Sequence, residues 1–236
     1  MPGCWMEDLD PIACMLTSQT RDQEFPKPVK LAGFHPSDFD RGAGVIKEAL
    51  WLIIRLVLFQ LCPFSFSALK RAVLRSFGAR IGRGVILKPQ VKITFPWKLE
   101  VGDSVWLGEE CWILNLERVV IGSNVCISQR AFLCTGSHNY KLPTFDLIVK
   151  PITIEDGAWL GAASWVGPGV TVGSHAVLSA GSVATKNLEA WGVYQGNPAE
   201  WVKARNNRTA DRGLSFSSAI SPSDKAQVKT QPSAER

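Results

Sequence analysis

Aliphatic side chains recur at every sixth position between residues 81 and 184, with a few longer gaps. Ile, Leu or Val fills fourteen of the fifteen positions, and a small or branched residue often follows four places later, as at Val85 and Ala158. No α-helical period fits this pattern, but a short strand plus a turn does, and three such hexads close one triangular coil. We therefore expect a parallel β-helix whose aliphatic side chains stack from coil to coil. The fifteen positions are Ile81, Leu87, Ile93, Val101, Leu107, Ile113, Ile121, Ile127, Leu133, Ile154, Leu160, Val166, Val172, Leu178 and Ala184.

Glycine follows many of these aliphatic positions, as at Gly82, Gly108 and Gly161. We expect these glycines at the tight corners of the coils, where backbone freedom is needed.

The departures from six-residue spacing lie on one side of the predicted prism. Equivalent aliphatic residues of the first three coils are 20 residues apart, where three hexads need only 18. On the same side, 21 residues separate Leu133 from Ile154, which predicts a long loop that carries His138. The 20-residue stacking puts Asn115 one coil beneath Thr135, at the root of that loop. We therefore expect an amide and an imidazole to converge there.

The segments that flank the repeat have different compositions. Residues 1–43 mix Pro, Asp, Gln and Gly, and residues 206–236 are rich in Ser, Thr, Lys and Gln. The first segment is expected to be extended or poorly ordered and the second a disordered tail. Residues 44–78 are predicted to be helical, and the β-helix domain is expected to span residues 79–205.

The predicted helical segment is strongly apolar from Val45 to Cys62. Charged residues interrupt it and the following proline ends it, so it is too short and too charged to span a membrane. We expect it to cap the open end of the β-helix, because a solenoid must cover its terminal repeat. The alternative is contact with the membrane plane. In that case Lys70, Arg71 and Arg75 would form a basic face towards anionic headgroups.

Charge and cysteine content narrow the function. The chain has 26 Lys and Arg against 21 Asp and Glu without a basic run, so no nucleic-acid partner is expected. Six cysteines without a CxxC pair favour reduced thiols in the cytoplasm, or at the inner membrane face if the membrane is contacted. Three scattered histidines predict no metal site, which argues against the zinc carbonic anhydrases that share hexapeptide repeats.

The long loop carries a candidate general base, His138. Transfer of an acyl group from a thioester to an alcohol needs a base that takes the hydroxyl proton. His138 is the only histidine in an insertion, and a neutral imidazole near pH 7 suits this role. His35 and His175 are expected to be solvated surface residues.

Three stretches carry a resemblance to a known family. They are TGSHN, PITIEDGAWLGAASWVGPGVTVGSHAVLSAGSVATK and GNPAEWVK. They resemble the sugar O-acetyltransferase branch of the hexapeptide acyltransferases, and the nearest likeness, over residues 45–205, is to colanic acid and exopolysaccharide biosynthesis acetyltransferases. The resemblance implies a left-handed parallel β-helix, acetyl-CoA as co-substrate without a metal, and a sugar hydroxyl or lipid-linked glycan as acceptor. It also implies a homotrimer whose active sites lie between subunits.

The resemblance assigns roles residue by residue. It makes His138 the general base. The resemblance does not identify the group that orients His138, for which a backbone carbonyl or an acid such as Asp146 is a candidate. It makes Asn115 a residue that holds the acceptor or thioester, and it places Trp159 beside the acetyl end of the cofactor. A phosphate of the cofactor is within the expected reach of Lys203. The remaining groove positions are Ala162, Ala180, Thr185 and Lys186.

Four tryptophans occupy the last place of their hexads and are expected to point outward. An outward aromatic set suits a subunit contact or a ligand cleft, with plain packing as the alternative for the first two. They are Trp106, Trp112, Trp159 and Trp165.

Two other functions are compatible with the repeat. A non-catalytic scaffold would share the fold, since a fold alone does not determine activity. An N-acyltransferase that acts on an amino sugar nucleotide would share both the fold and the histidine. Product analysis distinguishes an ester from an amide.

Overall fold

The computed structural model describes residues 28–33 and 39–206. The predictions made for residues 1–27 and 207–236, and for His35, lie outside this part of the chain. A short 3₁₀ turn at Leu31–Gly33 lies beside the long loop, where the Lys30 amide donates to the Pro143 carbonyl at 2.9 Å.

Three parallel sheets form the faces of a triangular prism, and the predicted parallel β-helix of about six turns is confirmed. The first sheet contains β1 (Arg80–Ile81), β4 (Leu99–Val101), β7 (Val119–Ile121), β12 (Ile152–Ile154) and β15 (Thr171–Val172). The second contains β2 (Ile86–Leu87), β5 (Trp106–Leu107), β8 (Cys126–Ile127), β13 (Trp159–Leu160), β16 (Val177–Leu178), β18 (Gly192–Gly196) and β19 (Ala199–Ala204), the last of which is antiparallel. The third contains β3 (Lys92–Ile93), β6 (Trp112–Leu114), β9 (Phe132–Cys134), β14 (Trp165–Val166) and β17 (Val183–Ala184).

The stacked aliphatic residues form the core of the prism. Ile81 pairs with Val101 and Val101 with Ile121, so equivalent hexad positions are in register from coil to coil. All fifteen aliphatic positions are at most 8% exposed. The small residues four places later are buried as well, as at Val85 and Ala158. The core therefore follows directly from the six-residue period.

The corners of the coils use a different residue from the one expected. The residue three places after the aliphatic position, such as Gly84, Asn124 or Ala163, has positive φ in eleven of the fifteen hexads, and in seven of these it is not glycine. The glycine directly after the aliphatic residue is needed for another reason. A Cβ on Gly161 would lie 2.5 Å from the Ala180 nitrogen, so close stacking of coils selects glycine there. The expectation that these glycines provide the corner conformation was wrong.

The extra residues leave the prism at the corner between the third and first sheets, as predicted. In the first coil they form a 3₁₀ turn, Pro96–Lys98. In the third coil they form an antiparallel hairpin of β10 (Gly136–His138) and β11 (Leu147–Val149). The predicted loop is therefore an ordered arm, and His138 lies on its first strand.

Two helices cover the N-terminal end of the prism. Helix α1 (Val45–Ile54) continues as a π-helical segment, Arg55–Leu61, and α2 spans Ser67–Ser76. Trp51 and Phe59 are buried in the core cluster, so the predicted cap is confirmed. In the described part of the chain, no helix has the length and apolar character needed to cross a membrane.

The basic residues of α2 do not form the expected face towards headgroups. Arg71 donates to the Val85 carbonyl at 2.6 Å, and Arg75 donates to the Ile81 carbonyl. Lys70 is fully buried and donates to the Phe64 carbonyl, and burial lowers the pKa of its amine. These cations instead satisfy carbonyl groups of the first coil and of the turn before α2.

Candidate active site

The hairpin fixes the position of His138. Its strand pairs His138 with Leu147, and the imidazole stacks on the Phe145 ring with centroids 4.4 Å apart. The Nδ1 atom lies 2.8 Å from the Phe145 carbonyl oxygen. Phe145 has a positive φ of 52°, and this turn conformation returns the chain towards the histidine. Of the two orienting groups considered from sequence, a backbone carbonyl therefore occupies this place.

The carbonyl contact determines the tautomer of the imidazole. A carbonyl oxygen only accepts hydrogen bonds, so Nδ1 carries the proton and donates it to Phe145. In the neutral ring the basic lone pair then lies on Nε2. The arrangement is the one that a histidine general base requires.

Asn115 lies at the root of the hairpin, and its side chain is bound to the backbone of the preceding coil. Its Oδ1 accepts from the amides of Thr94 and Phe95, and its Nδ2 donates to the Phe95 carbonyl at 2.6 Å. The side chain is fully buried. Asn115 is therefore directed towards the coil below and holds the turn there, and its convergence with the imidazole of His138 stays a prediction.

A cavity of about 810 Å³ lies on the second sheet and continues to the terminal strand. Four of the predicted groove residues line it, namely Trp159, Ala162, Ala180 and Lys203. The Trp159 indole is half exposed, and its Nε1 donates to Ser128 Oγ at 3.0 Å. The cavity has the aromatic wall and basic end expected of a site for a long anionic cofactor.

Arg205 is a cavity residue that the sequence reasoning missed. Its guanidinium donates to the carbonyls of Gly157 and His175, each at 3.0 Å, and lies at the same end as Lys203. The two residues are separated by two positions, which puts side chains on one side of an extended chain. That spacing was the available signal.

A second cavity of about 310 Å³ adjoins the first, and Ser128 and Gln129 line both. Its other lining residues include Lys88, Trp106 and Glu109. Trp106 is 56% exposed, so the predicted outward orientation is confirmed here and at Trp159. An exposed indole beside charged and amide groups is a surface suited to a polar ring with an apolar face.

Cys126 separates the two exposed indoles in the ladder of the second sheet. It pairs with Trp106 on one side and with Trp159 on the other. Burial raises the pKa of its thiol, and a contact with Ser128 opposes the shift. The thiol is therefore protonated at neutral pH and packs as a small apolar group.

His138 and the larger cavity lie on opposite sides of one chain. The hairpin leaves the corner between the third and first sheets, and in a triangular prism that corner is opposite the second sheet. His138 does not line the cavity. Thr185 and Lys186 do not line it either, because they are exposed at the end of β17, at the same corner as the hairpin.

No group of three or more His, Cys, Asp or Glu side chains suited to hold a metal ion occurs within residues 28–33 and 39–206. The second histidine of this part, His175, is half-buried and stacks on Trp191 with ring centroids 4.3 Å apart. It is more tightly packed than the solvated residue expected from sequence.

Known proteins share this architecture and much of this sequence. A family model described as the hexapeptide repeat of succinyl-transferase matches residues 151–186. Over 175 residues the chain is 39% identical to the "Putative colanic acid biosynthesis acetyltransferase WcaF" of Escherichia coli, a match that covers 74% of this chain and 96% of that protein. The chain belongs to the hexapeptide-repeat acetyltransferases.

Other members of the family are more distant. The galactoside O-acetyltransferase of Escherichia coli is 26% identical over 59% of this chain and 70% of that protein. A hexapeptide-repeat acetyltransferase of Vibrio cholerae, solved with acetyl coenzyme A, superposes with a TM-score of 0.64 at 23% identity. That match covers 74% of this chain and 96% of the solved one, and it supports the β-helix fold. Family membership makes this hexapeptide-repeat protein an enzyme, in preference to a non-catalytic scaffold.

Proposed function

We propose that this acetyltransferase transfers the acetyl group of acetyl-CoA to a hydroxyl group of a saccharide, with His138 as general base. The observation that carries the proposal is the 2.8 Å contact between Nδ1 of His138 and the Phe145 carbonyl, which directs the basic lone pair to Nε2. Nε2 accepts the hydroxyl proton while the oxygen attacks the thioester carbonyl. The tetrahedral intermediate then expels the thiolate of CoA, and the imidazolium gives its proton to this thiolate.

The larger cavity is the proposed site of acetyl-CoA. Trp159, Ala162 and Ala180 would contact the pantetheine arm, while Lys203 and Arg205 would meet phosphate groups. The smaller cavity is proposed to hold the saccharide against Trp106. Thioester and hydroxyl would then meet near Ser128 and Gln129, which line both cavities.

We further propose a homotrimer with active sites between subunits. His138 lies at the corner opposite its own cavity, so a second chain must provide the base for a cofactor bound there. Thr185 and Lys186 lie at that same corner and would contact the cofactor from the second chain. The outward side chains of the second and third sheets include Trp106, Trp112, Phe132 and Trp165, which gives each chain two apolar faces for a cyclic contact.

The biological setting is proposed from similarity. The colanic acid name of the relative that matches over 96% of its length supports a role in extracellular polysaccharide biosynthesis. The acceptor would be a saccharide or a lipid-linked glycan. Four described cysteines, Cys62, Cys111, Cys126 and Cys134, are free thiols, which supports a cytoplasmic location.

The test is acetyl transfer from acetyl-CoA to methyl glycosides of glucose, galactose and mannose by His138→Ala. Loss of the general base is expected to lower kcat by about 10²- to 10⁴-fold with little change in the KM for acetyl-CoA. His175→Ala is the matched control and is expected to keep near wild-type turnover, because His175 lies outside both cavities. Mass spectrometry of the product would show an ester that hydroxylamine cleaves.

Unchanged turnover in His138→Ala would overturn the role of the histidine. An amide product on an amino sugar nucleotide, with no ester on the glycosides, would replace the O-acetyltransferase by an N-acyltransferase.

A further inference from the structure

The solvent side of α1 and the π-helical segment carries a set of exposed apolar side chains. Eight side chains of α1 and the π-helical segment have exposed fractions between 50% and 86%. At about 100° per residue, the five that belong to α1 lie within one half of its surface. We call this set the outer face; it comprises Val45, Ile46, Leu50, Leu52, Ile53, Leu56, Val57 and Leu61.

The opposite half of the helix is already engaged, so the outer face cannot turn inward. Trp51 and Phe59 are buried, and the Trp51 indole donates to the carbonyls of Ile93 and Thr94. Gln60 donates to the Val91 carbonyl at 3.2 Å. These contacts fix the rotation of the helix on the first coil. A contiguous exposed apolar surface formed by eight side chains marks an interaction site.

The charge of the cap identifies the kind of partner. Residues 39–80 contain seven Lys and Arg against two Asp and Glu, whereas residues 81–206 contain eleven against ten. The excess positive charge of the described chain therefore lies at the capped end of the prism. Lys70, Arg71 and Arg75 bind carbonyl groups there, which leaves Lys47 and Arg55 as the cations of the helix itself. Lys47 and Arg55 lie on the two flanks of the helix, between the apolar half and the buried half. An apolar face with basic flanks is complementary to an anionic lipid surface.

The helix is too short to cross a bilayer, but its length suits a position in the headgroup layer, parallel to the membrane plane. Residues 45–61 extend for about 25 Å at 1.5 Å per residue, and charged flanks accompany them. Phe64 and Phe66, which follow the helix, are more than half exposed, and their rings contact each other at a tilt of 50° with centroids 5.4 Å apart. Exposed aromatic rings at the end of such a helix favour the interfacial layer of a bilayer.

We infer that the outer face binds an anionic bilayer, with α1 and the π-helical segment lying in the headgroup layer. This places the N-terminal end of the prism against the membrane. Binding requires neither the cavities nor His138, so it stands or fails independently of the proposed function.

The test is flotation of the full chain with vesicles of phosphatidylcholine, alone or mixed with phosphatidylglycerol. The wild type is expected to float with the anionic vesicles and much less with the neutral ones. The triple variant Ile46→Ser, Ile53→Ser, Val57→Ser is expected to bind more than about tenfold more weakly, because three buried aliphatic groups are lost. Val202→Ser, on β19 at the far edge of the second sheet, is the matched control and is expected to bind as the wild type does.

The contribution of charge is tested by Arg55→Gln. This variant is expected to lose about fivefold in affinity for anionic vesicles at low ionic strength and little for neutral ones. His138→Ala is expected to float like the wild type, which separates membrane binding from acetyl transfer.

Two results would overturn the inference. One is equal flotation of the wild type and the triple variant. The other is a wild type that binds no vesicles while the triple variant has a lower mass by light scattering, since the outer face would then be covered by a second copy. If the triple variant does not fold by circular dichroism, Ile53→Ser alone should still reduce flotation, and unchanged binding by it would refute the proposal.

Discussion

Two tryptophans at equivalent hexad positions have different neighbours on the second sheet. Trp159 lines the larger cavity and is held by Ser128, whereas Trp106 lines the smaller one beside Lys88 and Glu109. One residue, Cys126, lies between them in the strand ladder. Because the two indoles are so similar in burial and position, they provide a matched pair for assigning the cavities.

We expect the two alanine variants to separate the substrates kinetically. Trp159→Ala should raise the KM for acetyl-CoA by about tenfold or more, and Trp106→Ala should raise the KM for the saccharide by a similar factor, since each removes one aromatic contact. Steady-state kinetics with each substrate varied in turn provides the measurement. If Trp106→Ala changed only the KM for acetyl-CoA, the smaller cavity would belong to the cofactor.

Sequence reasoning located side chains on coils better than it predicted their direction. The spacing of 20 residues placed Asn115 beneath Thr135, and the two coils are indeed in register through Leu114 and Cys134. The direction of Asn115 was not predictable, because the extra residues interrupt the alternation of inward and outward positions. Arg205 was missed because it lies just beyond the last clear repeat, where the six-residue pattern makes no prediction.

Secondary structure elements outside the repeat were predicted in outline. The strongly apolar composition from Val45 to Cys62 indicated a helix, and the need to cover the first coil indicated its role as a cap. The hairpin was predicted only as a loop, because its two three-residue strands carry no alternating pattern. The alternative of a membrane contact gave the basic residues of α2 to headgroups, since sequence does not show which carbonyls of the first coil lack a partner.

The cap predicts a clear contrast between adjacent residues of α1. Trp51→Ala should lower the free energy of unfolding by about 3 to 5 kcal/mol, because it opens a buried cavity and removes the indole hydrogen bonds to the first coil. Leu52→Ala changes a side chain that is 52% exposed and should cost less than about 1 kcal/mol. Urea unfolding followed by fluorescence and circular dichroism measures both. Equal losses would mean that α1 does not pack on the prism as described.

At the level of the whole molecule, the period determined the architecture and its interruptions determined the site. Fourteen aliphatic hexad positions with small residues between them leave little freedom, and every aliphatic position of the predicted core is buried in the structure. The placement of His138 and the larger cavity on opposite sides of the chain could not be predicted from the sequence alone. It depends on the hairpin corner being opposite the cavity face, which requires the three-dimensional prism.

This placement predicts that two inactive variants complement each other. His138→Ala lacks the base, and Ala180→Trp fills the larger cavity. Refolding the two together in equal amounts should restore about a quarter of wild-type activity, because one site in four then combines an intact hairpin with an intact cavity in a cyclic oligomer. Each variant refolded alone serves as the control. A mixture that stays inactive would show that base and cavity belong to the same chain.

The coil is also a unit of length. The hairpin leaves the third coil, while Lys203 lies on the terminal strand and Arg205 directly follows it, and neighbouring strands are about 4.8 Å apart. For the proposed acetyl-CoA site, whole coils would therefore act as the divisions of a ruler that fixes the distance between the acetyl end and the phosphate end of the bound molecule. Duplicating the 18 residues from Val172 to Glu189 would lengthen the ruler by one division, with the hydrophobic core intact and the two ends of the site out of step with their ligand.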